Sequence, residues 1–168
     1  MAEKNITLFA YGTNISKSEM ASHSENAMFI GYGELLNFEL KFRGFQDHAI
    51  ATLEKKRGAV LPVAIYDITP TDRFTMDNFE KFPYAYQRIK AKARLNGKII
   101  KGQVYVLKIK LQKEIPNSEY LKALRMAYLE ADFDDIYIDE AIKEAGGVVS
   151  EDIVWWTSTF FQIIKTVQ

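Results

Sequence analysis

The sequence has no cysteine and only two histidines. The missing cysteines exclude a disulfide framework, a thiolate zinc site and a cysteine nucleophile, and two histidines without cysteine argue against a zinc centre. An excess of either charge is also missing, because 22 Lys and Arg residues balance 22 Asp and Glu residues. Since phosphate binding requires a basic excess, we expect no nucleic-acid partner.

Long apolar runs are a third absence. No stretch approaches the roughly 18 consecutive apolar residues of a membrane-spanning helix, so no membrane partner is expected. The N-terminal Met-Ala-Glu-Lys-Asn lacks the apolar core of a signal peptide, which predicts a cytoplasmic protein. The composition, 48% hydrophobic and 13% aromatic, is typical of a globular protein. Neither a repeat nor a linker divides the chain, so residues 1–168 are predicted to form one domain.

The stretch from Ile6 to Asn14 combines a strand with a turn. An apolar run beginning at Ile6 predicts a buried strand, and Tyr11-Gly12-Thr13-Asn14 follows it as a turn sequence. Ser16 and Glu19 have the spacing of a capping box, which predicts a short helix with Ser16 accepting a hydrogen bond from the amide of Glu19. Backbone amides of such a turn can bind a carboxylate or carbonyl oxygen, although many turns of this composition have no function.

The remaining elements follow from periodicity and turn residues. Phe38, Leu40 and Phe42 alternate with charged residues and place one face of a strand in the core. Strands are predicted at 27–43, 48–55, 60–69, 85–95 and 98–109, with Lys55-Lys56-Arg57-Gly58 as a connection and Asn96-Gly97 as a hairpin turn. Helices are predicted from Pro70 to about Phe82 with Met76, Phe79 and Phe82 facing the core, from a Ser118 cap, over 136–145, and over the final segment.

This order of elements defines the expected fold class. Many strands, interrupted by one helix and followed by helices, predict an α+β fold whose sheet is strongly curved or closed. The C-terminal aromatic extension, residues 151–168, contains Trp155-Trp156 and Phe160-Phe161. Such pairs indicate a core or a subunit contact, which leaves a homodimer open.

Two carboxylates are candidates for acid–base chemistry. Asp77 and Glu80 are three residues apart on the central predicted helix and therefore share a face. Glu80 lies beside Phe79 and shortly before Phe82-Pro83-Tyr84, and an apolar neighbourhood would raise its pKa toward the range that a general base requires. From spacing alone, however, the simpler expectation is that both carboxylates lie on a solvated face.

Other constellations are weaker. His23 and His48, with Asp47 next to His48, lack the nucleophile-elbow context of a serine hydrolase. Gly31-Tyr32-Gly33 begins a dinucleotide-binding motif but lacks its third glycine. Asp132-Phe133-Asp134 begins like a calcium loop but has Tyr137 where glycine is needed, so the surrounding acidic residues are expected to form a solvated helix junction. No metal or cofactor is predicted.

Several short motifs, taken in order, resemble one known family. Phe9-Ala10-Tyr11-Gly12-Thr13-Asn14 is similar to the Phe-x-Tyr-Gly-Ser-Asn signature of the γ-glutamylcyclotransferase-like (AIG2-like) family. The family's later motifs have counterparts in Ala51-Thr52-Leu53, Val63-Ala64-Ile65-Tyr66-Asp67-Ile68, Met76-Asp77-Asn78-Phe79-Glu80, Tyr86-Gln87-Arg88, Gln103-Val104-Tyr105-Val106, and Pro116, Ser118 and Tyr120. The resemblance covers about residues 6–130.

The resemblance implies a fold, a reaction and a site. It implies a small closed or nearly closed mixed β-barrel with helices packed outside. It also implies release of 5-oxoproline from a γ-glutamyl amide by attack of the substrate's own α-amine. Glu80 corresponds to the family's general acid/base, and Tyr11, Gly12, Thr13 and Asn14 correspond to the loop that holds the glutamyl group. Tyr86 and Tyr105 are expected to line the pocket.

The chain also departs from the family pattern. Thr13 replaces the commoner serine, Lys81 stands where glycine often follows the glutamate, and Ala64 stands where glycine is usual. These changes leave the leaving amine undetermined. The alternatives are a non-catalytic module of the same fold that binds a γ-glutamyl group, another small ligand or a protein, and removal of an amine from a γ-glutamylated biosynthetic intermediate.

Overall fold

The computed structural model of the protein describes residues 3–46, 48–80 and 85–149. A short 3-10 helix, Thr13–Ile15, follows the first strand, and the other elements are strands and α-helices. The strands are β1 (Ile6–Ala10), β2 (Met28–Gly44), β3 (Ile50–Ile68), β4 (Tyr86–Leu95), β5 (Lys98–Leu107) and β6 (Gln112–Lys113). The α-helices are α1 (Lys17–His23), α2 (Pro70–Phe79), α3 (Ser118–Glu130) and α4 (Ile136–Glu144).

Five of these strands close into a mixed β-barrel. The strand order is β3-β1-β5-β4-β2, and β2 pairs again with β3 to close the ring. The pairing of β1 with β5 is parallel and the other pairings are antiparallel. Where β2 crosses β4, a Cβ atom at Gly33 would lie 2.6 Å from the carbonyl oxygen of Arg94, so closure at this point requires glycine. The predicted α+β fold with a closed sheet is confirmed.

The long hairpin of β2 and β3 differs from the prediction. The segments 48–55 and 60–69 are not two strands with a connection, because residues 50–68 form one continuous strand. The connection expected at Lys55-Lys56-Arg57-Gly58 lies inside β3, where the register with β2 shifts between Leu36 and Phe38 and residues 56–59 have no partner. There Asn37 and Gly58 both have positive φ, and the amide of Gly58 donates to Oδ1 of Asn37 at 2.9 Å.

The barrel interior contains the alternating residues that the sequence placed there. Phe38, Leu40 and Phe42 are buried, as predicted. The opposite face of β2 is less solvated than its charges suggested, since Arg43 is also buried. Its guanidinium donates to Glu144 of α4 at 2.8 Å, so an ion pair fixes helix α4 to the outside of the barrel.

Helix α2 begins as predicted and ends earlier. Oγ1 of Thr69 accepts a hydrogen bond from the amide of Asp72 at 3.1 Å, and Pro70 occupies the first helical position. The helix ends at Phe79 rather than near Phe82, which lies outside the described residues. Met76 is buried as expected, but Phe79 is 53% exposed and does not face the core.

The hairpin and helix-terminus predictions are mostly confirmed. Asn96 and Gly97 both have positive φ, at 49° and 78°, between β4 and β5, as a two-residue hairpin turn requires. The cap of α3 is Asn117 rather than Ser118, because the Asn117 side chain accepts from the amide of Tyr120 at 2.8 Å. Helix α4 ends before Gly146, whose φ is 95°.

Two further expectations concern the C-terminal extension and a membrane-spanning helix. The aromatic extension 151–168 lies outside the described residues. In the ranges given above, no helix combines the length and the apolarity needed to cross a membrane.

Candidate active site

The turn after β1 forms one wall of a cavity. The amides of Ile15 and Ser16 donate to the carbonyl oxygens of Gly12 and Thr13, each at 3.0 Å, and these bonds tighten the chain into a 3-10 turn. The predicted capping box does not form, because the hydroxyl of Ser16 makes its hydrogen bond with the hydroxyl of Ser18 instead. The first amides of such a turn have no partner within the turn.

Four tyrosines from different elements frame this cavity. The hydroxyl of Tyr11 donates to the carbonyl oxygen of Tyr105 at 2.5 Å. The hydroxyl of Tyr86 donates to the carbonyl oxygen of Ala51 at 3.3 Å, and the hydroxyl of Tyr120 accepts from the Ala51 amide at 3.0 Å. Main-chain groups therefore hold three of the four phenol rings in place.

Burial keeps these phenols neutral. It raises the pKa values of Tyr11, Tyr86 and Tyr105 far above the usual value for tyrosine, and it raises the pKa of Tyr120 to about 12. At physiological pH the rings can donate or accept hydrogen bonds but cannot act as phenolate bases.

Glu80 directly follows α2 and faces the same cavity. Its amide donates to the carbonyl oxygen of Met76 at 2.8 Å, so its backbone position is tied to the last helical turn. Burial raises the pKa of its carboxyl group from 4.5 to about 7, because the charged form loses hydration that the surrounding side chains do not replace. A carboxyl group with this pKa can take up and release a proton near neutrality.

Asp77 is not on a solvated face, and neither is Glu80. Oδ1 of Asp77 lies 2.9 Å from Nε of Arg88 and accepts from the hydroxyl of Tyr105 at 2.6 Å. The side chains of Arg88 and Asp77 are only 19% and 17% exposed. This ion pair anchors the end of α2 to strands β4 and β5, one helical turn before Glu80.

These walls enclose a cavity of about 260 Å³. Each residue that the sequence proposed for the site lines it, namely Tyr11, Gly12, Thr13, Asn14, Glu80, Tyr86 and Tyr105. The remaining lining residues were not predicted as site residues: Leu8, Phe9, Ala10, Ile50, Ala51, Met76, Phe79 and Tyr120. Most of them stood in the family-like motifs, which was the signal that could have found them: Phe9, Ala10, Ala51, Met76, Phe79 and Tyr120. Oδ1 of Asn14 is buried and has no hydrogen-bond partner within the described part of the chain.

The other constellations have structural explanations. The ring of His23 stacks on Phe79 with centroids 3.8 Å apart. In the acidic segment, Arg125 bonds to Asp135 at 2.9 Å and to Asp139 at 2.7 Å, so part of it is an ion-pair network between α3 and α4 rather than a solvated junction. Within the described ranges, no three His, Asp or Glu side chains are grouped in a way that could hold a metal ion.

Solved structures share this fold. A structure named gamma-glutamyl cyclotransferase aligns with a TM-score of 0.71 and 20% identity, covering 95% of this chain and 99% of that chain. An uncharacterized protein from Homo sapiens aligns with a TM-score of 0.70 and 21% identity over the same shares. An AIG2-like protein from Mus musculus aligns with a TM-score of 0.53 and 22% identity, covering 71% of this chain and 84% of that chain. At these identities the likeness shows the fold alone.

The family follows from the sequence match. No curated protein matches the chain significantly, but the family model "Gamma-glutamyl cyclotransferase, AIG2-like" matches residues 8–122. This range contains every residue that lines the cavity. The chain therefore belongs to the AIG2-like gamma-glutamyl cyclotransferase family.

Proposed function

We propose that the protein is an enzyme that releases 5-oxoproline from a γ-glutamyl amide, with Glu80 as the general acid and base. The observation that carries the proposal is the position of Glu80 on one cavity with the 11–14 turn, combined with a carboxyl pKa of about 7. The glutamyl end of the substrate would bind at the turn and the scissile amide would lie at Glu80. Tyr86 and Tyr105 would line the space between.

The proposed chemistry needs no nucleophile from the protein. Glu80 takes a proton from the substrate's α-ammonium group, and the free amine attacks the γ-carbonyl carbon to close a five-membered ring. The bond from this carbon to the amide nitrogen then breaks. Two of the three ammonium protons end on the departing amine, so the reaction consumes no water. An attack within one molecule also avoids the entropic cost of bringing two reactants together.

The turn supplies the proposed electrostatic contacts. Amides near Gly12 and Thr13 would donate to the substrate carboxylate or to the oxyanion that develops on the γ-carbonyl oxygen. Asn14 adds a buried side-chain oxygen without a partner among the described residues. This oxygen would accept a hydrogen bond from the substrate's α-ammonium group. Neutral phenols around the cavity add hydrogen-bonding surface without a competing negative charge.

The test is a direct assay of 5-oxoproline release from a panel of γ-glutamyl dipeptides and γ-glutamyl amines. We expect release from at least one substrate class, with kcat/KM rising with pH toward a plateau above about 7, because Glu80 must be ionised to accept the proton. Glu80→Gln should reduce kcat at least about 100-fold, whereas Glu25→Gln, at an exposed glutamate, should not.

The outcomes separate the alternatives. Full activity of Glu80→Gln would remove the assigned role of Glu80. Binding of γ-glutamyl compounds without turnover would favour the non-catalytic module, and turnover of only a γ-glutamylated biosynthetic intermediate would favour the third alternative. A cytoplasmic location and a homodimer stay predictions, which fractionation and light scattering of the purified chain would test.

A further inference from the structure

Phe79 is an apolar side chain in an unusual position. It lines the cavity, yet 53% of it is exposed, whereas Tyr11, Met76 and Tyr105 on the same cavity are buried. A lining residue with this exposure lies at the mouth of the cavity. Phe79 immediately precedes Glu80, and both residues line the same cavity.

The second observation is that the ring of Phe79 is held in place. His23, the last residue of α1, stacks on it with ring centroids 3.8 Å apart and planes 31° apart. One face of Phe79 is therefore covered by the protein while much of the ring stays in solvent. An aromatic surface fixed in this way loses little conformational freedom when a ligand packs on it.

The size of the cavity determines what reaches Phe79. A volume of about 260 Å³ is below the roughly 300–1,000 Å³ of pockets that enclose drug-sized ligands. A glutamyl group held at the 11–14 turn would fill much of this space. With the scissile nitrogen near Glu80, the substituent on that nitrogen must extend through the mouth and along Phe79.

We infer that Phe79 is a specificity-determining residue that packs against an apolar side chain on the leaving amine, which makes γ-glutamyl amides of bulky apolar amino acids the favoured substrate class. The inference rests on the proposed function, because Glu80 fixes where the leaving nitrogen lies. His23 acts as a positioning residue, since it stacks on the ring of Phe79 and is not among the residues that line the cavity.

The experiment compares γ-glutamyl-leucine and γ-glutamyl-glycine, which differ only in the leaving amino acid. For the unmodified protein we expect kcat/KM to be about 3- to 10-fold higher with the leucine substrate, the range of one aromatic contact. Phe79→Ala should bring this ratio close to one, Phe79→Leu should retain part of it, and His23→Ala should give an intermediate value.

Helix α2 offers a matched control. Phe74 is 68% exposed and is not among the residues that line the cavity, so Phe74→Ala removes an exposed ring from the same helix and should leave the ratio unchanged. A ratio near one in the unmodified protein, or an equal loss on both substrates in Phe79→Ala, would overturn the inference.

A binding measurement keeps this inference distinct from the proposed function. The Kd of Glu80→Gln protein for both dipeptides, with and without Phe79→Ala, is measured by calorimetry. Tighter binding of the leucine compound that depends on Phe79 would support the inference even if no 5-oxoproline is released, in which case only the proposed catalysis fails. If the protein turns over and binds the two dipeptides equally well, only the inference is overturned. If it binds neither dipeptide, the inference and the proposed function are both overturned.

Discussion

Replacing Glu80 by glutamine should make the protein more stable at neutral and alkaline pH while removing its activity. The folded protein holds the carboxyl pKa at about 7 instead of 4.5 because the group is buried. A raised carboxyl pKa means that the folded state binds the proton more tightly than the unfolded state. The ionised form of Glu80 therefore opposes folding above the folded-state pKa.

The magnitude follows from the two pKa values. Each pKa unit corresponds to about 1.36 kcal/mol, so the difference between 4.5 and about 7 amounts to about 3 kcal/mol of unfolding free energy. This cost is absent below pH 4.5, grows between pH 4.5 and 7, and is constant above that. Glutamine does not titrate, but its buried amide also loses hydration. The expected gain for Glu80→Gln is therefore about 1 to 3 kcal/mol at pH 8.5.

The assay is urea unfolding of the unmodified protein and the variant at pH 4 and pH 8.5, followed by circular dichroism. At each pH, the unfolding free energy of the unmodified protein is subtracted from that of the variant. The informative quantity is how much this difference changes from pH 4 to pH 8.5. Titration of every other group cancels in this double difference. Glu25→Gln serves as the control, because this glutamate is exposed, and it should show no such change.

One result would refute the reasoning. If Glu80→Gln shifts the stability equally at both pH values, or shifts it less favourably at pH 8.5 than at pH 4, then the ionised carboxylate is not destabilised by its surroundings. Burial would then not account for the raised pKa, and Glu80 would have a compensating partner. The 5-oxoproline assay is read separately, so a stability result of either sign still leaves the catalytic role open to its own test.

Two further predictions follow from the walls of the cavity. Gly12→Ala should fold normally, since its Cβ would meet nothing nearer than Oη of Tyr120 at 3.9 Å, but the added methyl group occupies the glutamyl end and should lower kcat/KM at least about 10-fold. Unchanged kcat/KM with an unchanged melting temperature would contradict the assigned site. Asp77→Ala should cost about 3 kcal/mol of stability in urea unfolding, because it removes the carboxylate from the half-buried guanidinium of Arg88. A loss below about 1 kcal/mol would mean that this pair does not anchor α2.

Much of the fold was predictable because its signals are local. Asn96-Gly97 requires positive φ at both positions and so defines a hairpin without any tertiary information. Thr69 and Pro70 similarly define the start of α2. The continuity of β3 was not predictable, because Gly58 and the charged residues before it resemble a turn. Residues 56–59 have no register partner on β2, but pairing with β2 resumes on both sides, at Lys55 and at Val60, so residues 50–68 form one strand.

The site was predictable only in part. The motifs identified the residues that line the cavity, but spacing alone placed Asp77 and Glu80 in solvent, since a helix pattern does not say what packs beside it. Arg88, the partner of Asp77, is on a strand that follows the helix in sequence. Phe79 was assigned to the core because it continues the apolar stripe of α2. The helix instead ends there, and the ring lies at the cavity mouth.

The cavity walls come from β1, β3, α2, β4, β5 and α3, elements that span most of the described chain. No fragment containing only some of them retains the cavity, so a ligand that binds there binds the folded barrel and not the unfolded chain. Its binding energy is then added to the stability of the entire domain, about 2.7 kcal/mol at a concentration of 100 times Kd. Thermal melting of the unmodified protein in the presence of candidate metabolites can consequently rank ligands before any reaction is assayed.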